Sequence, residues 1–127
     1  MKSEAQRIAI AEACGWTRID PKSGLDWEPR GLPPNQTHGA LKDLPDYTED
    51  LNACHEMEKV LTEERRNGYA LRLYDLTNGF KPDHYEEDPY NPICFEASMI
   101  GVGLMVSANA AQRAEAFLRT IGKWVES

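Results

Sequence analysis

The sequence predicts an α+β domain: a small antiparallel sheet of two to four short strands layered with about four helices, an α-β-α sandwich. Three observations lead there. Residues 109–124 read as a complete helix with start and stop signals written in. Two more segments, opening near Ser3 and near Asp50, carry apolar residues at helical spacing behind capping side chains. Between the helices lie short runs of strand character, and antiparallel strands with helices grouped around them form layers over one core. A chain of 127 residues is one domain by size, so residues 1–127 are read as a single unit with long loops at 25–48 and 80–92.

Helix one is expected from Glu4 to Cys14, with Ser3 and Gln6 as a capping box and Gly15 as its stop. Trp16-Thr17-Arg18-Ile19 alternates bulky and polar residues like a short strand. Asp20-Pro21-Lys22-Ser23-Gly24 is turn chemistry. From Leu25 to Thr48 the chain reads as loop, punctuated by Pro29, Pro33, Pro34 and Pro45, with room for an edge strand at 25–28. Helix two is expected from about Asp50 to Val60, with Leu51, Cys54, Met57 and Leu61 facing inward. Thr62-Glu63-Glu64 starts helix three, whose stripe is Tyr69, Leu73 and Leu76 and whose stop is Asn78-Gly79. Residues 80–92 are acidic, proline-rich and aromatic, and read as an excursion loop. Residues 93–97 and Met99 to Val106 follow as strand candidates, Gly101 and Gly103 marking close backbone approach or a bulge. In the last helix Asn109 and Gln112 form a capping box, and Gly122 supplies the left-handed stop. Its apolar stripe is Ala110, Ala114, Phe117, Leu118 and Ile121.

Composition excludes several functions. The net charge of −7 opposes bulk binding of DNA or RNA, where basic side chains displace counterions, and opposes docking on an anionic membrane. No apolar run is long enough to span a bilayer, and the polar N-terminus is no secretory signal. Cys14, Cys54 and Cys94 are odd in number and far apart, so free thiols in a reducing cytosol are expected. The acid is uneven: Asp43, Asp46, Glu49, Asp50, Glu56 and Glu58 crowd one segment, Asp83, Glu86, Glu87 and Asp88 another. Most of these are expected to be solvated helix faces.

Four stretches resemble the phage ABA sandwich domain family, small proteins encoded by tailed phages and prophages. They are residues 8–16 (I-A-I-A-E-A-C-G-W), residues 44–47 (L-P-D-Y), residues 50–62 (D-L-N-A-C-H-E-M-E-K-V-L-T), and Ala110 through Trp124. The resemblance implies strands between helical layers. It carries no established chemistry. The insert 80–107 is longer and more acidic than the family pattern, and 99–106 richer in glycine.

Catalytic patterns find no support. His55 and Glu58 share a helix face, but no H-E-x-x-H pattern is present, and a surface hydrogen bond is the expected role. Cys54 and His55 are adjacent and point apart on a helix. Gly101-Val102-Gly103 lacks the Lys-Ser/Thr of a phosphate loop. Asp50 and Asn52 at the start of helix two read as capping groups before they read as ligand contacts. The pairing of aromatic with cationic residues, Trp16 with Arg18, Trp27 with Arg30, and Trp124 with Lys123, is the most suggestive pattern left, since such pairs stack on bases and hold phosphates.

The expectation is therefore a phage-encoded, non-catalytic binding protein in the host cytosol that counters host anti-phage defence by sequestering a nucleotide-derived immune signal, as a homo-oligomer. The candidate ligand-binding residues are Trp27, Arg30, Tyr47, Asn52, His55, Tyr90 and Arg113. No cofactor, metal or catalytic residue is expected. Two alternatives stand beside it: an acidic protein that masks a host protein, and an enzyme degrading the same nucleotide signal.

Overall fold

A computed structural model describes residues 1–21, 28–80 and 99–126. The order is α1 (Ser3–Ala13), β1 (Thr17–Asp20), β2 (Arg30–Leu32), β3 (Lys42–Asp43), α2 (Leu51–Glu58), α3 (Glu63–Asn78), α4 (Met99–Val106) and α5 (Ala110–Thr120). Five helices and a three-stranded antiparallel sheet make a small α+β fold.

Helix α5 organises the core. Its capping box is complete: the Gln112 N–H donates to Asn109 Oδ1 at 2.8 Å, and the Asn109 N–H donates to Gln112 Oε1 at 3.1 Å. Two orphan N–H groups are thereby satisfied before the first turn closes. Ala114, Ala116, Phe117 and Leu118 are wholly buried, and α5 packs against α1, α2 and α3. Gly122 follows with φ 73°, the left-handed geometry its position requires.

Helix α1 buries Ile10 and Ala11 and stops where Gly15 takes φ 98°. Its start differs from the sequence reading. Lys2 is the N-cap and no side chain caps it. Ser3 Oγ instead pairs with Thr48 Oγ1 at 2.8 Å, and Gln6 donates to the Met1 carbonyl at 3.0 Å. Ser3 is thus drawn away by a long-range partner.

The sheet runs β1-β2-β3, with Thr17 opposite Leu32, Asp20 opposite Arg30, and Gly31 opposite Lys42. Gly31 is where the layers close: a Cβ there would lie 3.1 Å from Ile19 Cγ1 and 3.2 Å from Leu44 Cδ2. The stretch read as loop between Leu25 and Thr48 therefore holds β2 and β3, strands of three and two residues too short to show an alternating pattern. The edge strand expected at 25–28 falls largely outside the described residues, and Glu28 is not in a strand.

Helix α2 is capped by Asp50, whose Oδ1 accepts from the Asn52 N–H at 2.9 Å. Ala53, Cys54 and Met57 face inward, whereas Leu51, read as inward, is 46% exposed. Helix α3 starts on the Thr62 side chain and ends at Gly79, φ 79°. It buries Leu71 and Tyr74 as well as the expected Tyr69 and Leu73.

Residues 99–106 were expected as a strand and form helix α4. An unbroken apolar run of eight residues has no polar face to set its period, so its length and its packing against α3 decide. Gly101 makes the close approach that the glycine implied, but within a helix: a Cβ there would lie 2.6 Å from Tyr74 Cζ. The strand expected at 93–97 and the excursion loop beyond Phe80 lie outside the described residues.

Candidate functional site

The expected site residues do not converge on one place. Arg30 lies on β2 and pairs with Asp43 across the strand, Nε to Oδ1 at 2.8 Å. Tyr47 is a core residue, 2% exposed, its backbone carbonyl accepting from the Cys54 thiol at 3.1 Å. Burial pushes the Tyr47 hydroxyl well above its ordinary range, with Cys14 beside it. Asn52 is exposed in the first turn of α2. Trp27 and Tyr90 lie outside the described residues.

His55 and Arg113 are brought together, through Glu58. Helix geometry places His55 and Glu58 on one face, with His55 Nδ1 at 3.6 Å from Glu58 Oε1, longer than a hydrogen bond. Glu58 turns instead to Arg113, whose Nη1 reaches both carboxylate oxygens at 3.3 and 3.4 Å. Arg113 also donates from Nε to the Ala108 carbonyl at 3.2 Å and from Nη2 to the Val106 carbonyl at 3.1 Å. One guanidinium thus ties the end of α2 to the α4–α5 turn. With its side chain only 13% exposed and its donors engaged, Arg113 acts first as a structural clamp.

Beside this clamp is an open cleft of about 290 Å³ lined by His55, Glu58, Lys59, Leu61, Arg66 and Tyr69. Leu61 gives it an apolar edge. Lys59 reaches Glu56 at 2.9 Å along the helix surface, and Arg66 makes no ion pair among the described residues. Tyr69 is 6% exposed, and its buried hydroxyl lies beside Glu58 and Arg113 without a hydrogen bond of good geometry to either. Burial first, then the Glu58 carboxylate, raise the Tyr69 hydroxyl far above its ordinary range, with Arg113 opposing, so it stays a protonated donor. Glu58 is balanced by Arg113 and Lys59 by Glu56, which leaves Arg66 to set the sign of the cleft.

Sequence reasoning missed Lys59, Arg66 and Tyr69. Tyr69 was read only as part of an apolar stripe, and an aromatic hydroxyl carries no local signal of what it faces. Arg66 follows Arg65 in the first turns of α3, and that basic pair was the available clue.

Five of the six crowded carboxylates from 43 to 58 serve local structure. Asp43 pairs with Arg30, Asp46 Oδ1 accepts from the Thr48 N–H and hydroxyl, Asp50 caps α2, Glu56 meets Lys59, and Glu58 meets Arg113. The tryptophan near the C-terminus is likewise engaged, with Arg119 stacked 5.1 Å from the Trp124 ring centroid. Trp16 is half-buried against the core. Cys54 is buried and its thiol is pushed up to about 11 by desolvation, the opposite of an activated nucleophile. Among the described residues no group of three or more His, Cys, Asp or Glu side chains is placed to hold a metal ion. No helix among them is long and apolar enough to cross a membrane.

Compared with protein-family models, with curated proteins and with solved structures, the chain finds no match. What the fold and the cleft define is therefore a small α+β protein with a cationic, tyrosine-walled depression between α2 and α3.

Proposed function

We propose that this chain is a non-catalytic binding protein whose α2–α3 cleft takes the phosphate-bearing part of a nucleotide-type anion. The observation that carries the reading is the convergence of Arg66, Lys59 and His55 on one cleft walled by Tyr69. Arg66, which makes no ion pair among the described residues, supplies the charge, Lys59 a second cation shared with Glu56, and Leu61 an apolar edge for a base or sugar.

At about 290 Å³ the cleft sits at the bottom of the usual range for ligand pockets, about 300–1,000 Å³. It suits one nucleotide-sized unit, and a second copy of the chain would enclose the remainder of a larger ligand. The resemblance to the phage ABA sandwich family gives such a protein its setting: sequestration of a nucleotide-derived defence signal in an infected cell. The internal engagement of five of the six carboxylates from 43 to 58 weighs against the alternative of an acidic decoy for a host protein.

Calorimetry against mononucleotides, cyclic dinucleotides and ADP-ribose derivatives tests the reading. Saturable binding is expected for at least one, weakened about tenfold, about 1.4 kcal/mol, by Tyr69→Phe or Arg66→Glu. Recovery of the nucleotide unchanged by chromatography separates binding from turnover. No heat with any member of the panel at micromolar protein removes the reading.

A further inference from the structure

A second depression lies on the other side of Leu61, between the end of α1, the α2–α3 turn and the end of α5. It measures about 350 Å³ and is lined by Ala13, Val60, Leu61, Thr62, Arg65, Phe117, Ile121 and Lys123. We propose that this cleft is a binding site for a compact amphiphilic anion, an apolar body bearing one carboxylate, of the kind a medium-chain fatty acid presents.

Its lining divides into two parts. Val60, 43% exposed, and the half-buried Ile121 offer apolar surface from two separate stretches of chain, over the buried side chains of Leu61 and Phe117. Burying such surface stabilises a complex by roughly 25 cal/mol per Å². Arg65 and Lys123 reach the same cleft from α3 and from beyond α5, and neither makes an ion pair among the described residues. Both side chains are exposed, so their charges are available. In a protein of net charge −7, two cations without counter-ions over an apolar floor are a local exception, and a pocket's potential follows its nearest charges. Glu63 and Glu64 in the first turn of α3 are exposed and do not line the cleft. They disfavour a multiply charged phosphate more than a single carboxylate held between Arg65 and Lys123. The apolar floor likewise excludes a small hydrated anion as the preferred occupant. Charge and shape together therefore select an apolar chain or ring with one carboxylate at its end. The site stands independently of the nucleotide reading, because none of its cations lines the other cleft.

The test uses the full chain, isotope-labelled, with octanoate as probe and octanol and acetate as controls. Amide shifts at residues 60–65 and 117–123 are expected to move saturably with octanoate, about tenfold more weakly with octanol, and not with acetate. The double charge reversal Arg65→Glu with Lys123→Glu is expected to weaken octanoate about tenfold or more and to leave octanol unchanged. Should that pair unfold the chain, Arg65→Gln with Lys123→Gln carries the same expectation. The proposal is overturned if octanoate produces no saturable shift, if octanoate and octanol bind equally, if the charge variants bind octanoate as the parent does, or if the shifting amides lie elsewhere.

Discussion

Replacing each glycine of α4 by alanine should change stability in opposite directions, although the two lie two positions apart in the same helix. In a helix interior the exchange is intrinsically favourable by about 0.8–1 kcal/mol, since alanine has less backbone entropy to lose. At Gly103 nothing lies within 4 Å of the added Cβ, so that gain stands alone and the protein should become about 0.5–1 kcal/mol more stable. At Gly101 the Cβ would fall 2.6 Å from Tyr74 Cζ and 2.7 Å from Cε2, with the hydroxyl closer still. Tyr74 is 9% exposed and has little room to swing aside. Overpacking of this kind costs typically 1–3 kcal/mol, which exceeds the propensity gain and leaves a net loss of about 1–2 kcal/mol. Urea titrations followed by circular dichroism give both numbers, provided the m-values agree. A shared sign for the two substitutions would refute the reasoning, and with it the packing of α4 on α3. Truncation of Tyr74 to alanine in the Gly101→Ala background should show a coupling above about 0.5 kcal/mol, because the two sites share the clash.

Other substitutions probe the remaining elements. Asn109→Ala removes the acceptor for the Gln112 N–H and should cost about 1 kcal/mol, read as a lower thermal midpoint. Phe117→Ala empties the centre of the core, where the side chain is 0% exposed; a cost of about 3–5 kcal/mol, against a total of about 5–15, should leave the variant partly or wholly unfolded by near-ultraviolet dichroism. Cys54 has its folded-state value raised from 9.0 to about 11, so the native state favours the neutral thiol. The unfolded chain releases its proton first as pH rises. The stabilisation from Cys54 is thus complete below about pH 9 and is lost as pH climbs through 11, a decline on the order of 2–3 kcal/mol in chemical denaturation that Cys54→Ala should flatten.

Helices bounded by their own caps were legible in the sequence. Asn109 with Gln112, and the glycines at 15, 79 and 122, each act on neighbours a few residues away, so local chemistry suffices to place α5 and to end α1 and α3. Ser3 misled because its partner, Thr48, lies 45 residues away. Helix α4 misled because an apolar run is compatible with either period until Tyr74 and α3 are known to cover it. Strands β2 and β3 hid among prolines because two or three residues form no pattern. The candidate cleft was half legible. His55, Glu58 and Lys59 follow from spacing on one helix, but Tyr69 and Arg66 join them only through the turn between α2 and α3, and Arg113 only through the approach of α5.

The placement of α5 has a consequence for biosynthesis. The helix that receives α1, α2 and α3 is the last of the described helices to leave the ribosome, and the partners α1 and α5 are separated by nearly the whole chain. Such distant contacts close slowly, because the intervening loop must be ordered before they are rewarded. Until Phe117 and Leu118 arrive, the core that buries Ile10, Met57 and Leu73 is incomplete. A polypeptide interrupted anywhere before Asn109 would therefore be a target for proteases and chaperones, and this core would close only once α5 has been made.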